Sequence, residues 1–138
     1  VLYLELRLKD IHLLVSPEQY ERVHYYPNAY AELAAMSPRA TWVPVPEPDR
    51  VCEELFSSAV DVVKLWQCQF VLLKDYVKSA KDRSQRFLKV DVDFDLAELC
   101  CDLVAARGRR FYRGVVLKEW RPLQMYAGRG GPAPNEWR

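Results

Sequence analysis

The stretch DRVCEELFSSAVDVVKLWQCQFVLLKDYVKSAK, residues 49–81, contains neither glycine nor proline. Val51, Leu55, Ala59, Val62, Trp66, Phe70, Leu73 and Val77 recur in it at steps of three or four, the spacing of an amphipathic helix. Glu53, Asp61, Lys64, Gln67, Lys74 and Lys78 fit a polar remainder, while Phe56, Val63, Leu65 and Leu72 broaden the apolar face. Pro46 and Pro48 precede the run, and the side chain of Asp49 can cap its first free N–H groups. The pattern predicts one continuous helix of roughly nine turns at about 3.6 residues per turn. Such a helix cannot bury its own stripe, so the rest of the chain, or a partner, has to cover it.

Composition agrees with a helical reading. The chain has 138 residues, half of them hydrophobic, with four Trp, eight Tyr and five Phe, which argues for one folded domain and against disorder. Four of the five glycines fall at or after Gly114, a distribution that disfavours a turn-rich β-sandwich. The net charge of +1 singles out neither a nucleic acid nor an acidic partner. Cys52, Cys68, Cys100 and Cys101 show no two-residue gap of a zinc or redox motif. They read as free thiols inside helices, which implies a compartment that does not form disulfides. No run is long and apolar enough for a membrane span. The chain opens at Val1 rather than Met, which leaves a removed leader open.

Outward from the central run, Val1 to Lys9 alternates Leu2, Leu4, Leu6 and Leu8 with Tyr3, Glu5 and Arg7. That is the period of a short strand or an extended arm. Ser16-Pro17-Glu18-Gln19 is a capping box with proline in the first turn. It opens a helix through Tyr20, Val23, Tyr30, Leu33 and Met36, which Pro27 bends or splits and Pro38 ends. Residues 39–48, with Pro44, Pro46 and Pro48, read as a stiff polyproline-like connection. Asp82 to Arg86 reads as an exit turn, and Phe87 to Phe94 alternates as a strand or extended loop. Asp95-Leu96-Ala97-Glu98 is a second capping box, and the helix it starts is predicted to run through Gly108 and Gly114 to Trp120. The fold class expected is mainly α: a small three-helix up-down bundle over residues 1–126. An extended arm at 1–15, an extended linker and an extended C-terminal tail at 127–138 complete it.

Residues with chemistry are few. His12 and His24 lack a ligand-spaced companion, and Glu21 with His24 is a single Glu-x-x-His unit of a kind that di-iron bundles use in pairs. Asp91, Asp93 and Asp95 alternate without the glycine and glutamate of a calcium loop. Gly128-Arg129-Gly130-Gly131 does not lie between a strand and a helix, as a phosphate loop does. No catalytic residue, metal site or cofactor is assigned. One basic cluster stands out: Arg107, Arg109, Arg110, Arg113, Lys118 and Arg121, interleaved with Phe111, Tyr112 and Trp120. On a helix it suits an acidic protein neighbour, RNA or phospholipid headgroups.

Several motifs together resemble a known family. Leu13-Leu14-Val15-Ser16-Pro17, Glu47-Pro48-Asp49, Glu119-Trp120-Arg121-Pro122-Leu123 and the tail Pro132-Ala133-Pro134-Asn135-Glu136-Trp137 are similar to elements of the accessory subunit 5 family of the alpha subcomplex of mitochondrial NADH:ubiquinone oxidoreductase, respiratory complex I. The resemblance implies a non-catalytic accessory subunit, peripheral on the matrix side of the inner membrane, that supports assembly and stability of a respiratory-chain enzyme and binds no cofactor. Its partners would be other subunits of that assembly. Trp120, Pro122, Tyr126 and Trp137, with Arg109, Arg110 and Arg113, are the expected partner interface, since aromatics and arginine anchor protein contacts. The alternative is an RNA-contacting structural protein of the mitochondrial ribosome that uses the Arg107 to Arg121 helix. An enzyme with an unfamiliar site is the third class.

Overall fold

The computed structural model of the chain describes residues 2–77, 85–122, 125–128 and 131–134. In chain order the elements are helices α1 (Leu2–Leu8), α2 (Pro17–His24) and α3 (Tyr26–Leu33), strand β1 (Ala40–Pro44), helix α4 (Ser57–Lys64), and strands β2 (Phe70–Asp75) and β3 (Val90–Asp91). Helix α5 (Leu96–Arg107) and strands β4 (Gly114–Glu119), β5 (Met125–Gly128) and β6 (Gly131–Pro134) follow. The three-helix bundle is therefore corrected: the fold is an α+β mixture around a four-stranded antiparallel sheet of order β1-β4-β2-β3.

Two predicted helices are each part helix and part strand. Within residues 49–81, Pro48–Arg50 and Glu53–Phe56 are 3-10 turns, α4 spans only eight residues, and β2 begins at Phe70. Gln67 adopts a positive φ of 53°, a backbone state that no α-helix continues through. Beyond it Val71, Leu73 and Asp75 are buried and Phe70, Leu72 and Lys74 are half-exposed, which is the period of a strand. In so apolar a run, matches at steps of three or four coexist with matches at steps of two. The predicted helix to Trp120 fails in the same way. Gly108 caps α5 at φ 49°, Arg113 turns at φ 59°, and the β-branched pair Val115-Val116 enters β4.

Other expectations fare unevenly. Residues 2–8 form a helix rather than a strand, consistent with Leu, Glu and Arg as good helix formers. Ser16 caps α2 as predicted, its Oγ accepting the Gln19 N–H at 3.2 Å while Gln19 Oε1 accepts the Ser16 N–H at 2.8 Å. Pro27 splits the first helix and sits in the first turn of α3. Asp95 caps α5 through bonds from the N–H groups of Ala97 and Glu98. The linker is extended, yet residues 40–44 pair with β4 as an edge strand, where Pro44 is tolerated. Residues 127–128 and 131–134 lie in a β5–β6 hairpin. Lys78 to Ser84 and Asn135 to Arg138 lie outside the described residues.

Topology explains the core. β1 and β2 run parallel with β4 between them, and β3 and β4 run parallel with β2 between them. Two split βαβ units thus interlock, with α4 and α5 as their crossovers. Val71, Leu73, Val115 and Leu117 of the sheet pack into one cluster with Val63 of α4 and Leu103 of α5. At the start of β4 the backbones crowd. A Cβ on Gly114 would lie 2.5 Å from both the Tyr76 ring and the Val43 carbonyl oxygen, so only glycine fits there.

Candidate functional site

The sheet's second face carries Trp42, Val116 and Lys74 side by side, then Ala40, Lys118 and Leu72, as the strand register dictates. Tyr26 and Tyr30 of α3 lie against this face. Their rings stack at 5.6 Å, and Tyr30 meets Trp42 edge-on at 5.7 Å. The ammonium groups of Lys74 and Lys118 sit 4.8 and 5.3 Å from the Tyr26 ring centre. Farther along, Phe70 and Trp120 meet edge-on at 6.0 Å, and the Trp120 N–H donates to the Phe70 carbonyl at 3.0 Å. Lys89 Nζ lies 4.3 Å from the Phe70 ring centre and 4.6 Å from that of Trp120. Burial pushes the Tyr26 phenol up to about 12 and lowers the Lys118 ammonium. Tyr26 Oη is buried with no hydrogen-bond partner among the described residues.

Around this face several polar groups are held by their neighbours and serve structure. Asp75 is fully buried; Arg107 Nε donates to its Oδ2 at 2.8 Å and the Val77 N–H donates to its Oδ1 at 2.8 Å. Glu119 accepts from Arg39 Nε at 3.0 Å and from Arg121 Nε at 3.2 Å. The Arg39 hydrogen bond is the main reason that its carboxyl is held down at about 2. The hydroxyls of Tyr25 and Tyr112 are 2.6 Å apart, and Arg113 lies over both rings.

The expected interface residues do not share one surface element. Arg109 and Arg110 are exposed on the 3-10 turn after α5, and Arg113 is exposed before β4, 3.7 Å from Glu21. Trp120 closes β4 against Phe70, and Pro122 is exposed just beyond it. Tyr126 belongs to β5, and Trp137 lies outside the described residues. The basic helix on which an RNA contact was expected is absent: Arg107 is bound to Asp75, Lys118 faces Tyr26, and Arg121 is bound to Glu119.

The remaining motifs resolve simply. His12 pairs with Asp10 at 3.2 Å, and His24 stacks on Tyr20 at 4.3 Å. Asp91 accepts the N–H of Asp93 at 3.0 Å. Among the described residues no three His, Cys, Asp or Glu side chains gather as metal ligands. Contrary to expectation, Cys52 and Cys68 lie outside helices, Cys52 exposed; Cys100 and Cys101 are on α5. A cleft of about 260 Å³ between β3 and α5 is lined by Arg86, Lys89, Val90, Phe94, Asp95, Glu98 and Leu99. A second of about 380 Å³ is lined mainly by Glu53, Glu54, Asp61 and Lys64. Neither lining contains a histidine or cysteine.

One further surface feature is apolar. Leu4, Leu8, Ile11, Leu13, Leu14 and Val15 are exposed along one stretch of chain, Leu8 to 88 % and Leu14 completely. Val23 and Met36, of the helical face predicted from Tyr20 to Met36, are exposed as well.

No family model, curated protein or solved structure matches the chain. Fold and surface define a class: a small α+β domain with an aromatic, lysine-bearing sheet face and an uncovered apolar N-terminal segment. None of its described helices is long and apolar enough to cross a membrane.

Proposed function

We propose that this chain is a non-catalytic docking subunit of a larger protein assembly, held in place through the apolar segment at residues 4–15. The observation that carries this reading is the exposure of six large apolar side chains in that segment. Fully burying a side chain of this size contributes about 1.5–3 kcal/mol, so covering the six supplies on the order of 10 kcal/mol against the costs of association. Exposed apolar surface on this scale marks a contact site.

The host named by the resemblance is complex I, on the matrix side of the mitochondrial inner membrane, where the chain would support assembly and take no part in electron transfer. Of the motifs behind that resemblance, Ser16-Pro17 keeps its helix start. Glu47-Pro48-Asp49 opens a 3-10 turn, and Glu119-Trp120 ends a strand. The host is the most specific claim of the reading and has its own test.

Native purification of the tagged chain supplies it. The wild type should co-migrate with defined partner subunits well above its 16.1 kDa mass. A Leu8→Glu, Leu14→Glu variant should run alone with an unchanged far-UV spectrum. A wild-type chain that runs as a monomer in its native extract rejects the docking reading. Partner subunits without NADH dehydrogenase activity reject complex I alone.

A further inference from the structure

The second face of the sheet brings rings and cations together over a short span. Side chains on one face of a strand recur about every 7 Å, and neighbouring strands lie about 4.8 Å apart. Phe70, Trp120, Lys118 and Trp42 are therefore within reach of a single short oligomer. Phe70 and Trp120 are half-buried, each held by the other through the edge-on ring contact and the backbone bond between them. Lys89 is exposed above both rings. Among the described residues neither Lys89 nor Lys118 makes an ion pair; each ammonium rests on an aromatic ring. The nearest acid in register, Asp91 opposite Phe70, has its carboxylate turned to the Asp93 N–H.

We propose that this face binds single-stranded nucleic acid, with bases stacking on Phe70 and Trp120 and phosphates met by Lys89 and Lys118. Rings that give stacking without base identity, interleaved with cations, are the recognition chemistry of single strands. An acidic peptide would satisfy the lysines and leave the rings unused. A lipid surface would take up protruding apolar side chains, and the two most exposed, Leu8 and Leu14, lie in residues 4–15 instead.

The site is independent of the apolar docking segment, so its test uses the whole chain with fluorescein-labelled twelve-nucleotide oligouridylate and oligothymidylate. Anisotropy titrations between 50 and 200 mM KCl should show affinity falling with salt, at a log–log slope of about −0.7 per phosphate contact. Lys89→Gln, an exposed change that leaves the core untouched, should reduce that slope by about 0.7, and Lys89→Arg should restore it. Trp120→Ala should weaken binding about tenfold. A stronger affinity for the ribose strand would assign the 2′-hydroxyl as a further contact. Absent or salt-independent binding overturns the proposal. So does a slope unchanged in both Lys89→Gln and Lys118→Gln, or binding to phosphatidylserine vesicles that neither oligomer displaces.

Discussion

Tyr25, Tyr26 and Tyr76 tie the α2–α3 segment to the ends of the central strands, and each is held in its neutral form. The Tyr25 phenol is pushed up chiefly by its hydrogen bond with Tyr112. Burial pushes Tyr26 up to about 12 and also raises Tyr76. The backbone joins the same node, since the Tyr26 N–H donates to the Tyr76 carbonyl at 2.9 Å. A group whose folded pKa lies above its unfolded value of about 10 stabilises the fold fully below that value. The contribution is then lost as pH rises through the folded pKa. Native protein should therefore retain at least three neutral tyrosines above pH 10, read from absorbance at 295 nm, whereas the chain in guanidinium chloride titrates all eight together near 10. The thermal midpoint should fall between pH 10 and 12. Coincident native and denatured curves would show that these rings are not packed as described.

At the scale of elements, the contact that fixes α5 against β2 is ionic. Asp75 is fully buried and the Arg107 side chain is only 10 % exposed, and removing one partner of such a pair strands a charge out of water. Arg107→Ala should therefore destabilise the domain by about 3–5 kcal/mol in urea unfolding, while Arg109→Ala on the neighbouring exposed turn should change it by less than about 0.5 kcal/mol. Equal effects would mean that Arg107 is solvated. This pair also shows what the sequence could not reveal. Asp75 falls within the run predicted as one helix and Arg107 within the basic cluster of another, and the sign of a charge says nothing about depth. Capping was legible at Ser16 and Asp95, which need only their own next three residues, but not at Asp49, which lies inside a 3-10 turn and caps no helix. The sheet was not legible. Its strands 40–44, 70–75 and 114–119 are brought together from distant parts of the chain, and β2 and β4 are apolar enough to fit either period. The lysine–aromatic face inherits that obscurity, because Phe70, Lys89 and Trp120 become neighbours only when β2, β3 and β4 align. The apolar character of residues 2–15 is plain in the sequence, but the alternation of Leu2, Leu4, Leu6 and Leu8 pointed to an extended arm where residues 2–8 are helical.

For the whole molecule, the question is whether the apolar segment belongs to the domain's own stability. Among the described residues, the hydrogen bonds of residues 3–13 stay within that segment: Lys9 and Ile11 donate to the Leu6 carbonyl, Asp10 to that of Arg7, and His12 pairs with Asp10. The hydrophobic cluster that holds the sheet begins at Val43 and uses none of these residues. A helix of seven residues has little stability alone, so its order depends on what lies over it. Removing residues 1–14 should therefore leave the unfolding midpoint of the sheet domain within a few degrees of the full chain's, because a change of about 1 kcal/mol moves a domain of this size by only a few degrees. The shortened chain should bind less of a hydrophobic dye and aggregate less at equal concentration, since exposed apolar surface drives both. It should also fail to join the host assembly. Collapse of the sheet on deletion, seen as a lost cooperative melt, would place the segment inside the domain's core and remove the basis for the docking reading.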